Sequence, residues 1–301
     1  MMRSFKTLIA AGSLCVALST AVYSDDGILG LMKCLSDKGA AIGSAHRGGP
    51  APGYPENALA TFARNRRAGV RLFEVDIMRA ADGTLYLMHD RTLDRTSTGE
   101  GPTNEQPIEK IKEYFLEDNA GALTSYRVPT LKEALAWAKA NDSFLNIDLK
   151  RYATVDELAA VVMEAAADDR VAVISASLDI AKEAAQKMPR ALISVSLTRD
   201  QTLKAISATG IPKERIVVWA GFRQLDEDRI MSIVEEGFYV TFGTLGFGNS
   251  YDDRFAAAGD NAAYADVARL GVDMIATDRP LAVYDGLANA NIAWDSRTIC
   301  E

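Results

Sequence analysis

From about residue 40 onward, the chain alternates short apolar segments with longer amphipathic ones. Segments such as 41–45 and 144–149 have the length of buried strands. Each is followed by apolar residues spaced three and four apart, as on one face of a helix. Counting from Ile42 to Ala288 gives eight strand and helix pairs, with a short helix near 27–36 before them and a long helix over 254–270 towards the end. This order predicts an α/β fold, a parallel (β/α)8 TIM barrel.

The alternation is interrupted after the second predicted strand, 71–77. There Asp82-Gly83 turns the chain into 84–88, whose alternating apolar residues predict a hairpin partner for that strand. Residues 90–130 are polar and lack a strong period, and only 108–115 have a helical pattern. A stretch of this length without periodicity predicts a small inserted subdomain after the second strand, which we expect to influence substrate choice.

The candidate chemistry lies between residues 46 and 90. The chain has two histidines, His46 and His89, and both are in this segment. An imidazole has an ordinary pKa near ~6.5, so it accepts and donates protons near neutral pH without strong tuning. Two histidines in one short segment therefore predict acid and base catalysis.

Between the histidines, Glu74 and Asp76 are two residues apart in an alternating strand, so their side chains point from the same face. Two carboxylates that close repel each other unless a cation lies between them. Carboxylate oxygens suit magnesium, calcium or manganese better than zinc. A single pair of this kind is more often an exposed polar edge, but the flanking histidines favour a metal site.

Composition and charge narrow the function further. With 301 residues, of which 48% are hydrophobic, the chain can bury a large core. Its formal net charge is −8, with 33 basic and 41 acidic residues and no basic stretch. Since duplex binding depends on neutralising phosphates with Lys and Arg, nucleic acid is not expected as a partner.

The first residues have the pattern of an export signal. A positive start at 1–6 is followed by an apolar stretch at 8–18 and by small residues up to Ser24. We expect removal of 1–24, which leaves 25–301 as the barrel in the periplasm or secreted. The apolar stretch is shorter than the ~20 residues that span a bilayer, so no stable membrane span is expected.

Cleavage at that point would also remove Cys15 and leave two cysteines, Cys34 and Cys300, near the ends of the mature chain. In an oxidising compartment, such a pair favours a disulfide over two unrelated thiols.

Five short motifs follow one another in the segment that carries the chemistry. They read His46-Arg47-Gly48, Pro55-Glu56-Asn57, Glu74-x-Asp76, Asp82-Gly83 and His89-Asp90. This order resembles the glycerophosphodiester phosphodiesterase family, and the likeness continues to Thr277-Asp278-Arg279-Pro280. The resemblance implies a metal-dependent hydrolase in a TIM barrel that converts glycerophosphodiesters to glycerol 3-phosphate and an alcohol.

The resemblance also implies roles for individual residues. His46 and His89 would be the catalytic acid and base. Asp148 would join Glu74 and Asp76 as the third ligand of one divalent cation, Mg²⁺ or Ca²⁺, with Mn²⁺ also suitable. The family more often has Glu at this position, so Asp148 is a departure whose shorter side chain would shift the metal or change the ion preference.

The remaining roles concern substrate contacts and support. Lys150, two residues after Asp148 and on the same strand face, would contact phosphate oxygens, and Arg47 offers a planar fork of donors to them. Glu56 and Asn57 would cap their helix and orient the metal ligands. Thr277 and Asp278 are expected only to end the last strand.

Two other functions stay open at this point. The first is a lysophospholipase D or sphingomyelinase D-like phosphodiesterase, since those enzymes share similar His, E-x-D and D-x-K elements. The second is a non-catalytic periplasmic binding protein built on the same barrel. The partner expected is a small phosphodiester substrate, and the pattern does not choose its head group or an oligomeric state.

Overall fold

Eight parallel strands close into a barrel in the computed structural model, which describes residues 27–246 and 248–292. In chain order the strands are β1 (Ile42–Ala45), β2 (Leu72–Arg79), β3 (Leu85–Leu87), β4 (Phe115–Glu117), β5 (Leu123–Arg127), β6 (Phe144–Leu149), β7 (Val171–Ser175), β8 (Leu192–Ser196), β9 (Ile216–Trp219), β10 (Tyr239–Gly243) and β11 (Met274–Thr277). Strands β1, β2 and β6 to β11 each pair in parallel with the next, and β1 pairs with both β2 and β11. That closure confirms the predicted (β/α)8 barrel.

Helices connect and surround the strands. They are α1 (Gly27–Lys38), α2 (Leu59–Arg67), α3 (Ile108–Ile111), α4 (Leu131–Ala140), α5 (Val155–Glu164), α6 (Leu178–Lys187), α7 (Leu203–Ser207), α8 (Glu227–Glu235), α9 (Tyr251–Ala258), α10 (Ala263–Arg269) and α11 (Pro280–Asn289). Capping boxes begin several of them. At α4, Thr130 accepts a hydrogen bond from the Glu133 amide while the Glu133 carboxylate accepts one from the Thr130 amide. Their apolar faces pack on the outward residues of the strands, which form the main core.

The interior of the barrel changes from apolar to polar along the strands. At the amino-terminal end, one apolar residue from each barrel strand packs against α1, which covers that opening: Ile42, Leu72, Phe144, Ala172, Leu192, Val217, Tyr239 and Met274. Two positions further along, the buried residues are mostly polar and include Ser44, Glu74, Asn146, Ser194 and Thr241. Because strand side chains alternate with period two, the next inward positions lie at the carboxyl-terminal mouth. Those positions include His46, Asp76, Asp148 and Asp278.

The interruption after β2 is a small subdomain, as predicted. Strand β2 extends beyond the barrel and β3 pairs antiparallel with its end, from Ile77 opposite Leu87 to Arg79 opposite Leu85. The subdomain has a separate apolar cluster that includes Tyr86, Met88, Leu93, Ile108, Ile111 and Leu116.

Two predicted helices are wrong in part. The helix expected over 108–115 ends at Ile111, and Phe115 begins strand β4, which pairs with β5 in a hairpin that the sequence did not predict. The helix expected over 254–270 is two helices, because Gly259 takes a left-handed φ of 65° and ends α9.

Several predictions fall on residues that the structure does not describe. The export signal at 1–24, its cleavage site and Cys300 lie outside the described ranges. Cys34, on α1, is disulfide-bonded. Within residues 27–246 and 248–292, none of the helices is both long and apolar enough to cross a bilayer.

Asp273, just before β11, allows a test of the packing at the amino-terminal end of the barrel. Burial raises the pKa of its carboxyl to about 7, although the carboxylate accepts a 2.8 Å hydrogen bond from the Val240 amide. Between its ordinary pKa and about 7, the folded protein therefore holds a proton that the unfolded chain has released. The free energy of unfolding should fall as the pH rises through this window.

Asp273→Asn keeps a hydrogen-bond acceptor but cannot ionise, so it should lose this dependence. Between pH 5 and 8, we expect the stability of the variant relative to wild type to rise by at least about 1 kcal/mol, measured by urea unfolding. Asp266→Asn is the control, because the Asp266 side chain is 75% exposed. A constant difference between Asp273→Asn and wild type across this range would contradict the prediction.

Candidate active site

Three carboxylates meet at the carboxyl-terminal mouth of the barrel. Glu74 and Asp76 lie on β2 and Asp148 lies on β6, with Asp76 and Asp148 in register as direct neighbours. One oxygen from each of the three lies within 4.8 Å of the others. Glu74 and Asp76 are buried and Asp148 is partly buried. The structure thus brings together the three residues predicted as metal ligands.

The electrostatics of this group favour a cation. Burial, followed by the charge of Asp76, raises the pKa of Glu74 well above its ordinary value. Burial also opposes ionisation of Asp76, but the Lys150 ammonium outweighs it and keeps the Asp76 pKa low. The positive charge of Lys150 is therefore too small to neutralise the three carboxylates. Three hard oxygen donors of this kind fit Mg²⁺, Ca²⁺ or Mn²⁺.

Lys150 lies between two of these acids. Its Nζ is 2.8 Å from Asp76 Oδ1 and also donates a hydrogen bond to Asp148. Burial disfavours its charged form, but the two carboxylates outweigh burial and raise the Lys150 pKa above its ordinary value. The ammonium therefore stays charged at the mouth, where the sequence predicted a phosphate contact.

A tight turn after β1 delivers His46 and Arg47 to the same place. Arg47 has a left-handed φ of 50°, and its amide donates a 2.7 Å hydrogen bond to Glu74 Oε2. Gly48 follows with a φ of 82°, and a Cβ there would lie 2.2 Å from the Phe62 ring. The Asn65 amide, which the sequence analysis missed, donates 2.7 Å hydrogen bonds to the carbonyls of Gly48 and its neighbour. Glycine at position 48 is thus needed to fold this turn against α2.

His46 is held by a carboxylate from the opposite end of the chain. Its Nδ1 lies 2.7 Å from Asp278 Oδ1, and Asp278 Oδ2 accepts a 3.1 Å hydrogen bond from the Gly246 amide. Burial of Asp278 opposes its ionisation, but the hydrogen bond and charge of His46, the Gly246 amide and the charge of Arg47 together outweigh burial and lower the Asp278 pKa. The expectation that Asp278 only ends the last strand is therefore wrong, although its place in the Thr-Asp-Arg-Pro motif was a usable signal.

Asp252, on α9, supports this contact from behind and was also missed. It is buried and accepts hydrogen bonds from Tyr264 Oη at 2.7 Å, from Thr277 Oγ1 at 2.9 Å and from the Asp278 amide at 2.7 Å. Thr277 therefore does more than end its strand. No sequence pattern marks Asp252, because its partners come from α10 and from the end of β11, both distant from it in the chain.

His89 reaches the site because β3 runs back along β2. The Met88 amide donates a 2.9 Å hydrogen bond to the Asp76 carbonyl, which places His89 beside the acids. His89 Nδ1 lies 2.6 Å from Asp90 Oδ1. Hydrogen bonds from Arg95 are the main cause that lowers the pKa of Asp90 to about 2. Each histidine thus has its Nδ1 paired with an ionised carboxylate.

Glu56 and Asn57 do not cap a helix, contrary to prediction. The residue before α2 is Ala58, which makes no side-chain cap. Glu56 instead accepts hydrogen bonds from Arg47 at 3.1 Å and from Arg95 at 2.7 Å. Asn57 takes a φ of 55° and donates a 2.7 Å hydrogen bond to Asp76 Oδ2, so it positions one of the predicted metal ligands.

Arg47, predicted to bind phosphate, is partly committed to protein contacts. One of its terminal nitrogens binds Glu56, and its Nε lies 3.8 Å from Asp76 Oδ2. That Nε is buried and has no hydrogen-bond partner among the described residues. Arg47 also lines a pocket of about 790 Å³ that opens beside His46 and Asp278.

Comparisons with known proteins agree with this arrangement. A model of the glycerophosphoryl diester phosphodiesterase family matches residues 46–282. A glycerophosphodiester phosphodiesterase from Caldanaerobacter subterraneus is 37% identical over 111 residues, which are 35% of this chain and 44% of that protein. This chain therefore matches less than half the length of that curated relative.

Two solved structures are similar over most of this chain. A glycerophosphoryl diester phosphodiesterase from Parabacteroides distasonis superposes with a TM-score of 0.77 and 28% identity, covering 89% of this chain and 93% of that one. A phosphodiesterase from Oleispira antarctica, solved in complex with the product sn-glycerol-3-phosphate, has a TM-score of 0.65 and 19% identity. It covers 84% of this chain and 99% of that one, and at this identity it shows the fold alone.

The three carboxylates can be tested for metal binding independently of any reaction. We expect the protein to bind Mg²⁺, Ca²⁺ or Mn²⁺ at one site in calorimetric titrations. Glu74→Gln, which removes one charged donor, should weaken binding by at least roughly tenfold. Glu109→Gln, at an exposed position on α3, is the matched control. Equal affinity of Glu74→Gln and wild type would show that the ion binds elsewhere.

Proposed function

The chain belongs to the glycerophosphoryl diester phosphodiesterase family, and we propose that it is a metal-dependent enzyme that hydrolyses glycerophosphodiesters to glycerol 3-phosphate and an alcohol. The observation that supports this most directly is the meeting of His46, His89 and the three carboxylates at one barrel mouth. The named activity of the Caldanaerobacter relative and the product bound to the Oleispira phosphodiesterase agree with it.

A phosphodiester monoanion resists attack because its charge repels nucleophiles. A divalent ion held by Glu74, Asp76 and Asp148 would, when bound, neutralise and polarise the phosphoryl oxygens. Lys150 adds a second positive charge at the same place, because its ammonium is already desolvated and paired at the mouth. Arg47 lines the adjoining pocket, and its guanidinium would orient a non-bridging oxygen there.

The two histidines would move the protons. In each of them Nδ1 is paired with a carboxylate, Asp278 for His46 and Asp90 for His89, which assigns the proton on Nδ1. Nε2 is then the nitrogen that exchanges protons with the substrate. One imidazole would take a proton from the attacking oxygen and the other would protonate the departing alcohol. The attacking oxygen belongs either to water or to a neighbouring hydroxyl of the substrate. In the second case a cyclic phosphate forms, and water then hydrolyses it.

Replacing either histidine tests this assignment. We expect His46→Ala and His89→Ala each to lower turnover by at least roughly a hundredfold, since each removes one proton transfer. The measurement is release of glycerol 3-phosphate from glycerophosphoglycerol with divalent ion present, alongside circular dichroism to confirm the fold. Lysophosphatidylcholine in the same assay tests the alternative lysophospholipase activity. Wild-type protein that releases no glycerol 3-phosphate from any glycerophosphodiester would overturn the proposal.

Asp278 should affect turnover through His46. Asp278→Ala leaves the imidazole without its partner, so we expect turnover to fall by about 10- to 100-fold with a much smaller change in KM. Asp278→Asn can still accept a hydrogen bond and should retain more activity than Asp278→Ala. Asp266→Asn, exposed on α10, is the control. Equal turnover of Asp278→Ala and wild type would show that Asp278 does not contribute to catalysis.

A further inference from the structure

The pocket beside His46 extends the site away from the metal-binding carboxylates. It has a volume of about 790 Å³, and its walls include Phe222 and Arg223 after β9, Leu245 and Gly246 after β10, and Tyr251 and Arg254 on α9. His46, Arg47 and Asp278 form its inner edge, whereas Glu74, Asp76 and Asp148 do not line it. A volume of this size suits a ligand much larger than a three-carbon group. The pocket therefore lies where a substituent of the phosphodiester would extend.

The charge of this pocket differs from that of the whole protein. The chain has a formal net charge of −8, but the pocket is lined by three arginines against one aspartate, which leaves +2 with His46 neutral. The aspartate, Asp278, is already engaged by His46 and the Gly246 amide, and Arg47 is engaged by Glu56. The other two arginines, Arg223 and Arg254, make no ion pair with a carboxylate in the part of the chain that the structure describes. Arg254 Nε donates a 3.4 Å hydrogen bond to the Ser250 carbonyl, so the terminal nitrogens of Arg254 and the guanidinium of Arg223 are available to a ligand.

Both guanidinium groups lie over aromatic rings of the pocket wall. The Arg254 guanidinium carbon lies 3.9 Å from the centre of the Tyr251 ring, and that of Arg223 lies 5.5 Å from the centre of the Phe222 ring. Stacking of this kind limits the freedom of a long side chain, so less entropy is lost when it binds a ligand. A guanidinium also offers paired donors that match the oxygens of a phosphate or a carboxylate.

We propose that this pocket recognises an anionic group on the substrate, so that the preferred glycerophosphodiesters are those whose alcohol part carries its own phosphate or carboxylate. The proposal rests on the proposed function, because it assigns the substituent next to His46 to this pocket. Cationic alcohols such as choline would meet two positive charges there and would be poorer substrates.

The test compares kcat/KM for glycerophosphodiesters whose alcohols are choline, glycerol, serine and inositol 4-phosphate, with the metal ion held constant. For wild type we expect the substrate with inositol 4-phosphate to exceed the choline substrate by at least about tenfold, and to lose part of this advantage at high salt. The serine part carries a carboxylate beside an ammonium and so has no net charge. The serine substrate therefore tests whether the pocket recognises a carboxylate without a net negative charge.

Three variants test which arginines bind the anionic group: Arg223→Gln, Arg254→Gln and the double variant. The double variant should lower kcat/KM for the inositol 4-phosphate substrate by about tenfold, while the neutral glycerol substrate changes by less than about twofold. The matched control is Arg67→Gln with Arg269→Gln, which makes the same charge change at the carboxyl-terminal ends of α2 and α10, at residues that do not line the pocket. Arg223 lies in an exposed loop, so its single variant keeps the test valid if the double variant does not fold.

The outcomes separate this inference from the proposed function. Equal kcat/KM for the choline and inositol 4-phosphate substrates in wild type, or a preference unchanged in the double variant, would overturn the anionic pocket and leave the hydrolase intact. No hydrolysis of any of the four substrates would overturn the proposed function itself.

Discussion

The mutual repulsion of three carboxylates in a closed barrel is the constraint on which the rest of the site depends. Parallel strands in register place Asp76 directly beside Asp148, and the pleat of β2 places Glu74 on the same interior face. Burial makes that repulsion costly, as the raised pKa of Glu74 shows. Three neighbouring groups compensate the negative charge with a positive charge or a hydrogen-bond donor: the Lys150 ammonium, the Arg47 amide and the Asn57 amide. A divalent cation at the centre would complete this compensation.

The site is held together by pairs of residues that come from different loops. His46 follows β1 and its partner Asp278 follows β11, while Asp278 is itself fixed by Asp252 from α9. On the other side, Arg95 binds both Asp90 and Glu56, so the inserted subdomain and the loop before α2 are joined by charge. Because these contacts span several strand ends, the barrel must be closed before the imidazoles are oriented.

Residues on the strands and residues that line the pocket have different roles in the proposed site. The acids lie on β2 and β6 and Lys150 directly follows β6, and rigid strands suit groups that must hold a charge in place. The 790 Å³ pocket is lined mainly by residues after β9 and β10 and on α9, and loops there tolerate variation in length and composition. Under the proposed function, the strand residues would carry the phosphoryl chemistry and the pocket residues would choose the alcohol.

The sequence by itself determined the elements and the local geometry. Period-two alternation placed Glu74 and Asp76 on one face, and the order of strands and helices predicted the barrel, because both depend on neighbours in the chain. Tertiary structure alone decided what depends on distant partners. His46 contacts Asp278, which is 232 residues away. Asn57, predicted to cap a helix, instead donates a hydrogen bond to Asp76, one of the predicted metal ligands. The β4–β5 hairpin was missed because its short segments carry too few apolar residues to show a period. The break at Gly259 was missed because the alanine-rich segments on both sides of it continue one apolar pattern. Local sequence patterns predict the direction of a side chain. The residue that this side chain contacts depends on the closed barrel, which brings distant segments together.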